Sequence, residues 1–167
     1  MIKIGKYISG FSTYSCQPKT KKELEDIIEE RIFKEGYNCD LNDIDTSLIT
    51  DMDGLFYDSP FNGDISKWNV SRVKYMPYMF YRSEFNGDIS KWNVSNVVTM
   101  HGMFERSKFN GDISNWNVNK VKDMYSAFLY SKFNQDISCW KINKDCDINL
   151  MFSCCPIKEE HKPKTTR

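Results

Sequence analysis

From Phe61 onward, the apolar side chains of this chain fall at fixed places and then return to them. Phe61, Ile65, Trp68, Val70, Val73, Met76, Met79 and Phe80 are the repeated apolar positions, and their equivalents recur 24 and 48 residues later. The string FNGDISKWNVSRV at Phe61 becomes FNGDISKWNVSNV at Phe85, FNGDISNWNVNKV at Phe109 and FNQDISCWKINKD at Phe133. Five units follow: 37–60, 61–84, 85–108, 109–132 and 133–156. The first is disguised, with Leu41, Ile44, Ile49 and Met52 standing where the second has Ile65, Trp68, Val73 and Met76. A strict period of this length is the mark of a solenoid, in which each unit buries its apolar side only against its neighbours.

Within a unit, Trp68, Asn69 and Val70 alternate inward, outward and inward, which predicts a short strand. The run from Val73 to Phe80 repeats at three and four residues and predicts a short helical turn on the outer side. Asn-Gly at 62–63, 86–87 and 110–111 reads as a turn needing positive φ, a pattern that Gln135 breaks in the last unit. Thr20 with Glu23 forms a capping box, Leu24, Ile27, Ile28 and Ile32 recur at helical spacing, and Gly36 ends the segment. A helix from about 21 to 35 is therefore expected to cap the first repeat, with an irregular strand or hairpin added by residues 1–17. The expected class is an α/β repeat solenoid with a short parallel sheet, one strand per 24-residue repeat, and an N-terminal capping helix. Its parts are residues 1–36, the repeats 37–156, and a polar tail, 157–167, that reads as frayed and leaves the last strand as a pairing edge.

Formal net charge is zero, but the charges are segregated. Residues 37–60 carry six aspartates and no lysine or arginine, whereas the next three units together hold ten basic and six acidic side chains. Neutrality argues against nucleic acid as the sole ligand, since phosphate affinity comes from many cationic contacts. No run of about 18 apolar residues marks a membrane span. The lysine-bearing start lacks the apolar core of a secretory signal, so a cytoplasmic protein is expected, or a surface one if an export signal was removed. Six cysteines show no C-x-x-C pair and no histidine at zinc spacing, and they read as free thiols; adjacent Cys154 and Cys155 leave a disulfide or metal role open.

The string FN-x-D-I-S-x-W-N-V-S-x-V-x-x-M-x-x-M-F resembles the BspA-like leucine-rich-repeat family, including mycoplasma lipoprotein-type repeats of unknown function. The segment from Ile65 to Val70 is similar to the strand segment of a leucine-rich repeat, with tryptophan in the second slot. The resemblance implies adhesion or protein binding. Five units without an export signal favour a small, intracellular, partner-binding version, such as a phage or mobile-element product that inhibits a host protein. A surface adhesin or structural repeat unit is one alternative. A scaffold that self-associates through its C-terminal edge or its charge asymmetry is another.

Asp64, Asp88, Asp112 and Asp136 form a column under this period. Each is read as accepting backbone hydrogen bonds near Ser66, Ser90, Ser114 or Ser138, with calcium binding as the competing reading. Trp68, Trp92, Trp116 and Trp140 take the inward slot and are read as core. Only two histidines, His101 and His161, are present, no catalytic motif occurs, and no enzyme activity, cofactor or metal is expected. What remains is binding. The outward positions beside the tryptophans would line a concave face: Asp43 and Asp45; Lys67, Asn69 and Ser71; Lys91, Asn93 and Ser95; Asn115 and Asn117; and Lys141. The competing surface is the set of outer slots that vary between units: Tyr75, Tyr78, Tyr81, Arg82, His101, Glu105, Arg106 and Tyr125.

Overall fold

The polar residues flanking each inward side chain turn the backbone instead of extending it. In the computed structural model, which describes residues 14–164, Asp64 Oδ1 accepts the Ser66 N–H at 2.9 Å and Asn69 Oδ1 accepts the Ser71 N–H at 3.1 Å. The Trp68 N–H donates to the Ile65 carbonyl at 3.1 Å, and the Val73 N–H to the Val70 carbonyl at 3.0 Å. Turns closed at three-residue separation are incompatible with a run of extended dihedrals. The segment read as a strand is therefore two successive turns, repeated in every unit. Among the described residues there is one α-helix, a short 3-10 turn and no strand. The expected parallel sheet, and with it the leucine-rich-repeat solenoid, is not what this chain forms. Parallel pairing is reduced to isolated bridges, chiefly the column Asp51, Tyr75, Thr99, Asp123 and Asp147.

The segment read as a helical turn is corrected too. Tyr78 and Arg82 both adopt left-handed φ, 52° and 53°, which a right-handed helix excludes. Their counterparts Gly54, Gly102, Ser126 and Leu150, and Asp58, Arg106, Tyr130 and Cys154, do the same. This alternation points every second N–H at the neighbouring unit. Met76, Tyr78, Phe80 and Arg82 donate to the carbonyls of Thr99, His101, Met103 and Glu105 at 2.8–3.1 Å, and the equivalent four bonds form at all four junctions between units.

Side chains follow the same register. Phe61, Phe85, Phe109 and Phe133 stack at 6.2–6.3 Å between ring centroids. Phe56, Phe80, Phe104, Phe128 and Phe152 form a second column at 5.4–5.6 Å. The tryptophans are buried, as their spacing predicted. Gly63 has a different reason from the one expected: a Cβ there would lie 2.0 Å from the Cys39 carbonyl oxygen, so glycine serves close approach, not positive φ.

The two ends differ. Helix α1, Lys21–Glu35, starts with Thr20 accepting the Glu23 N–H and buries Leu24 and Ile28. Arg31 ties it to the first unit, binding both oxygens of Asp43 at 2.9 Å and the Asp40 carbonyl at 2.7 Å. The expectation for residues 1–17 lies mostly outside the described residues; within them, Cys16 bridges Ile44 and Ser15 donates to the Asp43 carbonyl. The tail is not frayed over its described part. Ile157 and Pro163 are buried, and the Ile137 N–H donates to the His161 carbonyl at 3.0 Å. It covers only one side of the fifth unit. Between the tail and the outer segment a recess of about 300 Å³ opens among Ile142, Ile148, Leu150, Phe152 and Pro163.

Candidate partner-binding surfaces

With no sheet, the face beside the tryptophans is a set of turn corners in register. Lys67, Lys91, Asn115, Asn69, Asn93, Asn117 and Lys141 are exposed, and Ser71 and Ser95 are half-buried. Much of this row is already engaged. Asn69, Asn93 and Asn117 each commit the side-chain oxygen to the N–H two residues on, at 3.1–3.2 Å. The acidic end is engaged as well: Asp43 holds Arg31, and Asp45 accepts from Gln17 at 2.6 Å and from the Ser47 N–H at 2.9 Å. Burial alone would raise the Asp43 carboxyl, but hydrogen bonds from Ser15 and Arg31 hold it below its ordinary value. Asp43 and Asp45 are thus fastenings of the N-terminal cap, not a free acidic lip.

The outer slots assemble into something different. Turn chemistry on this side leaves long side chains on left-handed positions, pointing away from the core. Tyr57 and Tyr81 stack at 4.6 Å, and Tyr81 meets Tyr78 edge-on at 5.9 Å. Tyr78 in turn packs against His101 at 5.0 Å, and His101 lies parallel to Tyr125 at 5.1 Å. Gly102 makes room for this arrangement: a Cβ on it would stand 2.5 Å from the Tyr78 ring. His101 Nδ1 lies 3.2 Å from Asp123 Oδ2. Glu105, largely buried, accepts from Ser126 Oγ at 3.0 Å. Burial pushes the Tyr78 phenol above its ordinary value, and the Glu105 and Asp123 carboxylates add to that.

Two guanidinium groups flank the aromatics. Arg82 pairs with Asp58 at 3.2 Å, and Arg106 lies 4.8 Å over the Tyr130 ring. Between them runs a shallow groove of about 530 Å³, lined by Asp58, Tyr81, Arg82, Glu84 and Arg106. Seven of the eight outer residues read from the sequence sit in or beside this cluster. The eighth, Tyr75, is exposed in the bridge column. Sequence reading missed Tyr57, Asp58, Asp123 and Tyr130. Tyr57, Asp58 and Tyr130 lie 24 residues from Tyr81, Arg82 and Arg106, and Asp123 lies 48 from Tyr75, so carrying the columns through the first and fourth units would have found them.

The aspartate column has the geometry of turn closure. Asp64, Asp88, Asp112 and Asp136 each accept the N–H of the serine two residues on at 2.9 Å. All six cysteines are free thiols, including Cys154 and Cys155. Burial, with Asp123 nearby, pushes the Cys146 thiol up to about 11, which keeps it protonated. No helix among the described residues is long and apolar enough to cross a membrane.

A family model described as Mycoplasma protein of unknown function, DUF285, matches residues 28–129 and again residues 81–162. No curated protein and no solved structure matches the chain.

Proposed function

The chain belongs to the family described as Mycoplasma protein of unknown function, DUF285, and from that premise we propose that it is a non-enzymatic module that binds a protein partner through its outer face. One observation carries this reading: a continuous surface of Tyr57, Tyr81, Tyr78, His101 and Tyr125, flanked by Arg82 and Arg106, is held on a hydrogen-bonded frame. Tyrosine and arginine are the residues that dominate binding energy at protein interfaces, and a rigid frame lowers the entropy lost on docking. The row beside the tryptophans is a weaker candidate, since its carboxamide oxygens are engaged in turns. The likeness of the repeat string to BspA-like repeats, whose members include adhesion proteins, agrees with a binding role. On this reading the chain acts by occupying a partner's surface, as an inhibitor of that partner or as an adaptor.

The deciding experiment is affinity capture from cells of the native host with two face variants in parallel. One carries Tyr81→Ala and Arg106→Ala, the other Lys67→Glu and Lys91→Glu. A partner retained by the second variant and lost by the first supports the outer face. The reverse result would move the site to the row beside the tryptophans, and a partner indifferent to both variants would overturn the surface assignment altogether.

A further inference from the structure

From Met76 to Arg82, and at the equivalent positions of the other units, the hydrogen bonds between units all run one way, and this leaves unlike edges at the two ends. Each unit donates four N–H groups to the unit after it. Among the described residues no unit follows the fifth. Its Ile148, Leu150, Phe152 and Cys154 N–H groups, which continue the donor register, have no acceptor among the described residues. Among the described residues no unit precedes the first in this register. The carbonyls of Asp51, Asp53, Leu55 and Tyr57, which stand where Tyr75, Pro77, Met79 and Tyr81 accept in the second unit, receive no hydrogen bond among the described residues. One edge is a row of donors and the other is a row of acceptors, set out at the same two-residue spacing.

We propose that the chain associates head to tail with a second copy of itself, the donor edge of the fifth unit in one copy pairing with the acceptor edge of the first unit in the next. Continuing the register, Ile148 donates to Asp51 of the second copy, Leu150 to Asp53, Phe152 to Leu55 and Cys154 to Tyr57. Backbone polar groups without partners favour such completion, as the exposed edges of sheets show. Apolar burial adds to it. Leu150 is 48% exposed beside the recess at the fifth unit. Leu55 is only half-buried, whereas its column mates Met79, Met103, Ala127 and Met151 are buried. Phe56 is already buried, so the phenylalanine column does not continue across the contact, and Leu55 is the apolar group that meets the recess.

Two C-terminal edges cannot pair in this way, because donors would face donors. The contact is heterologous, and repeating it gives open chains instead of a closed dimer. It is small, so the association is weak and depends on concentration.

Sedimentation velocity on the full chain over a wide concentration range, with two edge variants, tests the proposal. Leu150→Asp blocks the donor edge at an exposed left-handed position that aspartate tolerates. Leu55→Asp blocks the acceptor edge with the same charge, so that the two blocked edges also repel each other, and Leu55→Glu replaces it if Leu55→Asp lowers the melting temperature. Wild type is expected to grow beyond a dimer as concentration rises. Each variant alone stays monomeric, and an equimolar mixture of the two gives a dimer and nothing longer, because each supplies one intact edge. A wild type that stays monomeric throughout overturns the proposal, as does association of Leu150→Asp like wild type. The Tyr81→Ala, Arg106→Ala variant associates like wild type, which keeps this result separate from partner capture.

Discussion

The indole N–H of Trp92 donates to the Ile65 carbonyl oxygen at 3.1 Å, reaching back 27 residues into the preceding unit. Trp68, Trp116 and Trp140 make the same reach to Leu41, Ile89 and Ile113. Each tryptophan therefore fills its own unit and fastens it to the one before. Trp92→Phe keeps most of the apolar volume and loses the bond, and is expected to cost about 1 kcal/mol. Trp92→Ala also opens a cavity and is expected to cost about 3–5 kcal/mol. Urea denaturation measures both, and equal losses in the two variants would mean that the bond, not the packing, dominates.

Acid sensitivity follows from the aspartate column. The Ser90 N–H holds the Asp88 carboxyl below its ordinary value, and Ser138 does the same for Asp136. At Asp64 burial opposes the shift, but the hydrogen bond from the Ser66 N–H and the nearby Asn42 carboxamide outweigh it. Because the folded state favours the ionised form, these groups contribute stability above the ordinary aspartate pKa of about 3.9, and lose it as pH falls through their lowered values. The melting temperature should be level near neutrality and drop below about pH 4. Asp88→Asn keeps an acceptor for Ser90, so its neutral melting temperature should match wild type while its acid drop becomes shallower. Calcium should leave the transition where it is; a rise on adding the ion would return the column to metal binding.

Two glycines should separate folding from binding. Gly63→Ala drives a Cβ into the Cys39 carbonyl, a backbone atom with little room to yield, and is expected to cost about 1–3 kcal/mol or more. Gly102→Ala places its Cβ against the Tyr78 ring, a side chain that can swing away. It should keep the fold, with a loss of about 1–2 kcal/mol from left-handed strain, and displace Tyr78 from His101. Partner capture should fall far more for Gly102→Ala than its melting curve suggests. Retained capture would detach Tyr78 from the binding surface.

Arg82 sits at φ 53°, a conformation glycine adopts without a Cβ penalty. Arg82→Gly is therefore expected to melt at the same temperature as wild type or higher, while weakening capture of the partner. A lower melting temperature would show that the ion pair with Asp58, not the backbone, sets the balance at this position.

The core was legible because period and polarity agree. Phe61, Ile65, Trp68, Val70, Val73, Met76, Met79 and Phe80 are all buried, and the capping box at Thr20 marks the start of the helix that is present. The strand was misread because Trp68-Asn69-Val70 offers a single alternation, too little to outweigh the Asp-x-Ser and Asn-x-Ser turns on either side of it. The helical turn was misread because spacing reports which side chains go inward and is silent about φ. Tyr78 and Arg82 are not residues from which a left-handed backbone can be read. The packing of the tail rests on two isolated apolar residues, Ile157 and Pro163, and isolated residues carry no periodic signal. The outer surface was found as a set of exceptions to the repeat, but its extent was not, since the columns of Tyr81 and Arg82 run back into the first unit, where the repeat is disguised.

The contrast between a first unit clamped by helix α1 and a fifth unit that lacks such a clamp also orders events in time. Contacts between units join residues about one period apart, so a stack of this kind opens by losing its outermost member first. Helix α1 and Arg31 clamp one end, and at the other the amides of Ile148, Leu150, Phe152 and Cys154 are without acceptors among the described residues. Deuterium should therefore enter from the fifth unit and advance toward the first, so that amide protection in the equivalent positions 78, 102 and 126 declines in that order along the chain.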